Sequence, residues 1–206
     1  MKNKKVKNRW ILLPVGGILL FIILYIVSAS LYPGETDADK TAKGFSWQHN
    51  YWCELLATEA QNGQKNTARP IAITAMIILA ISLIIFWYNI PRLFTYKRTG
   101  TGVIIYSGIG SMLVMPLLLT CSHDFIINLA TLLGCIAIIG LLVNLFRHKM
   151  YFPFYMGIFC LLLCGINNYV YYSKDLLSCL PVIQKISFFI FLLWFILLSI
   201  KNYKNK

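Results

Sequence analysis

The sequence predicts an all-α, polytopic membrane protein: one six-helix bundle over residues 1–206, with a long, partly helical first loop outside and both termini in the cytoplasm. Three observations carry this. Six apolar runs, at about 10–31, 71–90, 103–121, 125–146, 151–172 and 183–200, each approach the ~20 residues that cross a ~30 Å hydrocarbon core. Only 13% of the residues are charged, roughly half the ~25% of soluble domains, and the runs are apolar all round rather than striped. The charges also sort by side. All seven acids (Glu35, Asp37, Asp39, Glu54, Glu59, Asp124 and Asp175) fall in the odd-numbered connections. The N-terminal tail, the second and fourth connections and the C-terminal tail hold only cations: Lys2, Lys4, Lys5, Lys7, Arg9, Arg92, Lys97, Arg98, Arg147, Lys149, Lys201, Lys204 and Lys206. The positive-inside rule then places the termini in the cytoplasm and the acids outside.

The first run follows a basic tail and ends at Ser28-Ala29-Ser30, which imitates a secretory signal. Its apolar stretch exceeds the usual ~7–15 residues of such a signal, so an uncleaved helix is expected. The first loop, about 32–69, is too long for a turn and too aromatic for disorder, with Phe45, Trp47, Tyr51 and Trp52. Trp47, Tyr51 and Leu55, with Trp52 and Leu56, share a face at helical spacing. Ser46 is a suitable N-cap and Asn62-Gly63 a suitable stop, so a helix over 46–61 is expected at the outer headgroup layer. Pro70 suits the first turn of the second helix. The next three connections are short, making helices 2 to 5 antiparallel neighbours. Pro116 is positioned to kink helix 3, and Gly108, Gly110 and Ser111, with Gly134 and Gly140 of helix 4, offer surfaces for close helix approach.

A net charge of +12 suggests nucleic acid at first sight, but the cytoplasmic cations flank helices, where they fix orientation and meet anionic headgroups. No nucleic-acid partner is expected, and membrane lipids are. Of six cysteines, Cys135, Cys160 and Cys164 lie within spans. Cys53, Cys121 and Cys179 lie at the outer side, with Cys53–Cys179 the favoured pair if that compartment is oxidising. No Asp, Glu, Lys or Arg sits mid-span, which weighs against an ion pump or proton-coupled carrier.

Candidate chemistry gathers on the outer third. His123-Asp124, in the turn between helices 3 and 4, pairs an imidazole with a carboxylate, as a general base or proton relay needs, and Glu54 supplies a further carboxylate. Capping of helix 4 by Asp124 accounts for that pair equally. His49 and Cys53 are four apart, the spacing of two ligands on one helix face, so a zinc site with His123 can be drawn; ordinary interfacial polar residues give the same spacing. Glu35 to Asp39 imitates a calcium loop but fails at its sixth and twelfth positions. No cofactor is expected. Trp47, His49, Arg69, Asn167 and Asn168 are candidate ligand-binding residues, around a cavity beneath the loop walled by Arg69 or His123. Interhelical hydrogen bonding explains Asn167 and Asn168, and Asn128 and Asn144 of helix 4, without a ligand.

The strings Tyr32-Pro33-Gly34, Gly44-Phe45-Ser46-Trp47, Asn50-Tyr51-Trp52-Cys53-Glu54-Leu55-Leu56, Asn62-Gly63-Gln64 and Ala68-Arg69-Pro70 resemble a family of uncharacterised bacterial six-helix membrane proteins. More distantly, the chain is similar to the Frag/DRAM/Sfk-like group of six-span proteins. The first resemblance implies an inner-membrane protein and no reaction; the second implies lipid-linked or trafficking roles. The Ser-Asp-Leu-Gly stretch of that group is replaced here by Cys53-Glu54-Leu55-Leu56, and no functional residue carries over. The expected function is a non-enzymatic inner-membrane protein binding a lipid, or a membrane or periplasmic protein partner, through its outer loop. The alternatives are a membrane-embedded hydrolase or lipid-modifying enzyme using Glu54, His123 and Asp124, and a small-solute transporter.

Overall fold

The computed structural model describes residues 9–36, 40–94, 100–119, 123–174 and 176–204. Among the described residues there are six α-helices, α1 at Leu13–Ser30, α2 at Arg69–Asn89, α3 at Thr101–Val114, α4 at His123–Arg147, α5 at Tyr151–Ser173 and α6 at Leu180–Lys204. Five helical stretches, Arg9–Ser30, Arg69–Leu93, Phe125–Arg147, Tyr151–Ser173 and Leu177–Lys204, are long and apolar enough to cross a membrane. Thr101–Leu117 is apolar but shorter. Among the described residues the only β pairing is two isolated bridges, Gly34 with Lys43 and Glu59 with Lys65. The all-α, multi-pass class expected from the apolar runs is the one the chain adopts.

The third span ends in a way its proline dictates. Pro116 has no N–H and its ring crowds the carbonyl four residues earlier, so the α-helix stops at Val114 and continues as a 3-10 turn over Met115–Leu119. A 3-10 turn rises ~2.0 Å per residue against ~1.5 Å, so α3 with its extension covers about 30 Å, enough to cross. The α4–α5 turn closes by hydrogen bonds from Met150 N–H to the Leu145 carbonyl (2.9 Å) and from Lys149 N–H to the Phe146 carbonyl (3.0 Å). That is a Schellman cap, with Lys149 (φ 55°) in the left-handed position glycine usually takes.

Contacts divide the chain into two compact units. One comprises residues 1–19, 77–157 and 193–206. Its core is aromatic: Trp87 and Trp194 are fully buried, and Phe86 and Phe195 stack edge-on at 4.8 Å. Trp194 Nε1–H donates to the Pro153 carbonyl (2.8 Å), and Asn202 Nδ2 donates to the Asn89 carbonyl (2.9 Å). The small residues act largely as expected. Ser111 Oγ–H bonds the Ala130 carbonyl across the α3–α4 contact (2.9 Å), Gly134 lies beside Ser111, and Gly140 lies under Ile104. Gly108 departs from this set. It faces the Trp87 ring of α2, where a methyl group would overlap the indole.

The other unit comprises residues 20–76 and 158–192 and so contains the first loop. Ser28 Oγ–H bonds the Ala68 carbonyl (2.9 Å) and Thr67 Oγ1–H the Leu31 carbonyl (2.6 Å), which ties the exit of α1 to the entry of α2.

Candidate functional site in the first loop

The loop does not form the helix expected over 46–61. It makes a single turn at 46–50, an extended residue at Tyr51 (φ −77°, ψ 152°), a 3-10 turn at Trp52–Leu56 and a tight reversal at 59–65. Side chains compete with the helical ladder here. Ser46 caps as expected, its Oγ accepting from His49 N–H (3.3 Å), but only for one turn. The Asn50 carboxamide is then captured. Its Oδ1 accepts from Ser46 N–H (2.7 Å), and its Nδ2 donates to the Glu35 carbonyl (3.0 Å) and Glu54 Oε2 (2.6 Å). Glu54 Oε1 accepts from Tyr51 N–H (2.8 Å), the return half of a capping box, which restarts the chain as a 3-10 turn. Asn62-Gly63 forms the tip of the following reversal, with Gly63 at φ 74°. The large side chains therefore do not share one face: Leu55 is fully buried, while Trp47 is half exposed.

A second asparagine fixes the rest. Asn66 is buried, and its Nδ2 donates to the carbonyls of Glu54 (3.0 Å), Leu55 (3.3 Å) and Ala57 (3.0 Å), while its Oδ1 accepts from Ala68 N–H (3.1 Å). The Leu55 and Ala57 carbonyls thus find a donor, and the Glu54 carbonyl, which already accepts from Ala57 N–H (3.2 Å), takes a second bond. Trp52 then seats the turn on the helices. Its ring lies 5.0 Å from Tyr25 and 5.1 Å from Phe188, and Phe21 is 6.2 Å away. Its carbonyl accepts from Tyr25 Oη–H (3.0 Å), and its N–H donates to Gln184 Oε1 (3.3 Å). One residue on, Lys185 Nζ donates to the carbonyls of Asn50 (2.5 Å) and Pro181 (3.0 Å), and stands 5.5 Å from the Phe45 ring. What lies directly beneath the Trp52 turn is an aromatic cluster.

The candidate residues now separate. Glu54, a candidate catalytic carboxylate, accepts from Asn50, Tyr51 and, more weakly, Tyr32 Oη–H (3.3 Å), so it is a framework residue of the loop. His123 and Asp124 are the first residues of α4, and their side chains lie outside the described residues. For the zinc alternative, His49 and Cys53 flank extended Tyr51 and share no helix face, while the His123 side chain lies outside the described residues. His49 Nδ1 pairs with Ser46 Oγ at 3.2 Å, and among the described residues no three metal-ligating side chains converge. Cys53 and Cys179 are free and exposed, so the favoured disulfide is absent; Cys121 lies outside the described residues. Although Cys53 exposes part of its surface, burial of the rest, and then the neighbouring Glu54 carboxylate, push its thiol up to about 11.

Arg69, Trp47, Asn167 and Asn168 remain. Arg69 opens α2, and its Nε–H donates to the Leu56 carbonyl (3.0 Å), which fixes the guanidinium. Trp47 packs edge-on against Phe45 at 5.3 Å. Asn167 bonds across helices, its Nδ2 donating to Ser187 Oγ (2.6 Å), as interhelical bonding predicts. Asn168 is exposed and, among the described residues, bonds only within its own helix, to the Cys164 carbonyl (3.0 Å) and sulfur. The residues that sequence reasoning missed are Tyr25, Asn66, Gln184 and Lys185. Each has a partner at least 11 and up to 135 positions away, and no local pattern signals these pairings. No family model, no curated protein and no solved structure matches this chain.

Proposed function

We propose that this chain is a non-enzymatic protein of a bacterial inner membrane, with both termini in the cytoplasm, whose first loop is a rigid outer platform that binds an anionic lipid headgroup. The orientation rests on the sorted charges, since every acid lies in connections on the loop's side. The bacterial setting rests on the resemblance carried by Tyr32-Pro33-Gly34 and the strings that follow it.

One observation carries the binding reading. The loop's buried Asn50 and Asn66 and its half-buried Glu54 are used up in holding its backbone, while among the described residues Arg69 is held through Nε alone. Its terminal nitrogens, on a guanidinium fixed through Nε, can then pair with an anion, and a planar guanidinium suits phosphate. Half-exposed Trp47 suits the headgroup layer, where an indole is apolar on its body and polar at its edge. The hydrolase alternative draws less support, because the Glu54 oxygens already accept from three donors.

The test is the phospholipid that stays with the full chain after purification in mild detergent. Arg69→Ala is expected to lose retained anionic phospholipid severalfold, and Trp47→Ala to lose less. Unchanged lipid in Arg69→Ala defeats the reading. So does a stoichiometric co-purifying protein that these substitutions release, which would make the platform a protein-docking surface.

A further inference from the structure

A different surface carries an inference independent of the loop. Among the five long apolar stretches, Tyr151–Ser173 is the least covered: 17% of its most apolar window is buried, against 33% or 44% in the others. Its outward stripe over Leu162, Gly165, Asn168, Tyr169 and Tyr172 recurs at three- and four-residue spacing, and all five residues are exposed. A methyl group on Gly165 would meet nothing within 4 Å, so another backbone can approach there.

Asn168 is what this face leaves unexplained. It lies within the apolar stretch Tyr151–Ser173, five residues from the end of α5, which at about 1.5 Å per residue is one to two turns before the helix ends. Its Nδ2 donates to the Cys164 carbonyl (3.0 Å) and, more weakly, to the Cys164 sulfur (3.8 Å), and no described residue donates to its Oδ1. Lipid tails offer neither donor nor acceptor, so the amide is satisfied only by a group presenting both at the same depth. A second copy of this chain meets that requirement by symmetry. Across a two-fold axis, each Asn168 carboxamide gives up its long contact to the Cys164 sulfur, presents that N–H to the partner's Oδ1 and accepts the partner's N–H at its own Oδ1. Gly165, one turn earlier, allows the close approach such a pair needs.

We propose that the protein self-associates as a two-fold dimer through α5, with Asn168 paired across the axis and Gly165 at the crossing point. The test is energy transfer between labelled full-length chains reconstituted in liposomes over a range of protein-to-lipid ratios. The wild type is expected to show a saturable dimer. Asn168→Leu should weaken association about three- to eighteenfold, the ~0.6–1.7 kcal/mol measured for interhelical hydrogen bonds in membranes. Gly165→Leu should weaken it as well. Both positions are exposed, so helicity and melting temperature should hold. As a second readout, Tyr169→Cys should form an intermolecular disulfide, whereas Leu132→Cys, on an exposed face of α4, should not. A protein monomeric at every density overturns the proposal. So does a dimer indifferent to Asn168→Leu, or one that cross-links through Leu132→Cys rather than Tyr169→Cys.

Discussion

Replacing Asn66 with alanine tests most sharply whether side chains, not a helix, hold the first loop. The carboxamide makes four hydrogen bonds, of which the one to the Leu55 carbonyl and the one from Ala68 N–H are fully buried. A buried backbone group left without its partner costs ~1–3 kcal/mol, so these two sum to about 2–6 kcal/mol. The bonds to Glu54 and Ala57 are partly buried, and water can replace them at little net cost. About 3 kcal/mol is therefore a conservative loss, and it falls on opening of the loop rather than on the helices. At ~1.4 kcal/mol per tenfold, amide exchange over 52–57 and at Ala68 should accelerate by two orders of magnitude or more. Asn66→Asp should do at least as much damage, because it keeps the shape but turns a donor into a carboxylate facing three carbonyls. Hydrogen exchange read by mass spectrometry, on the full chain in lipid nanodiscs, resolves this. Unchanged protection in Asn66→Ala would refute the account of how the loop is held.

Gly108→Ala should destabilise the protein by about 1–3 kcal/mol, because the added methyl overlaps the buried Trp87 ring, and a fluorescence-monitored melt would show it. Gly165→Ala, where nothing lies within 4 Å, should leave that melt unchanged. Lys149→Gly should raise stability by about 0.5–1 kcal/mol by relieving a left-handed non-glycine residue, and a lower melting temperature would contradict the Schellman cap. With its thiol pushed up to about 11, Cys53 should be almost wholly protonated at pH 8 despite its exposure, so its alkylation rate should climb about tenfold per pH unit until pH approaches that value. A rate that plateaus below pH 9 would show the site is not so crowded.

The helices were legible because apolar runs of membrane length leave the backbone one way to satisfy itself, and because Pro116 announces where α3 must change character. The close approach of α3 and α4 was legible in its glycines, but the pairing of Gly108 with Trp87 was not, since a small residue does not say which neighbour fills the space it leaves. The loop was misread for a definite reason. Trp47, Tyr51 and Leu55 satisfy a helical period, but Ser46, Asn50 and Glu54 hydrogen-bond to backbone within five residues and offer a competing fold that periodicity does not weigh. Lys185 illustrates the other limit. It reads as an ordinary cation near the start of a span, and only the folded chain shows its ammonium on the Asn50 carbonyl, 135 positions away.

The central claim is that the first loop is a self-held platform presenting Arg69 to an anionic headgroup. Native mass spectrometry of the delipidated full chain, titrated with phosphatidylglycerol and separately with phosphatidylcholine, tests it most directly. The account predicts one phosphatidylglycerol bound well ahead of any phosphatidylcholine, with that first binding step weakened about tenfold or more in Arg69→Ala, as expected for a lost charge-assisted contact of ~1.5–3 kcal/mol. Equal uptake of the two lipids, or a first step indifferent to Arg69→Ala, would contradict it.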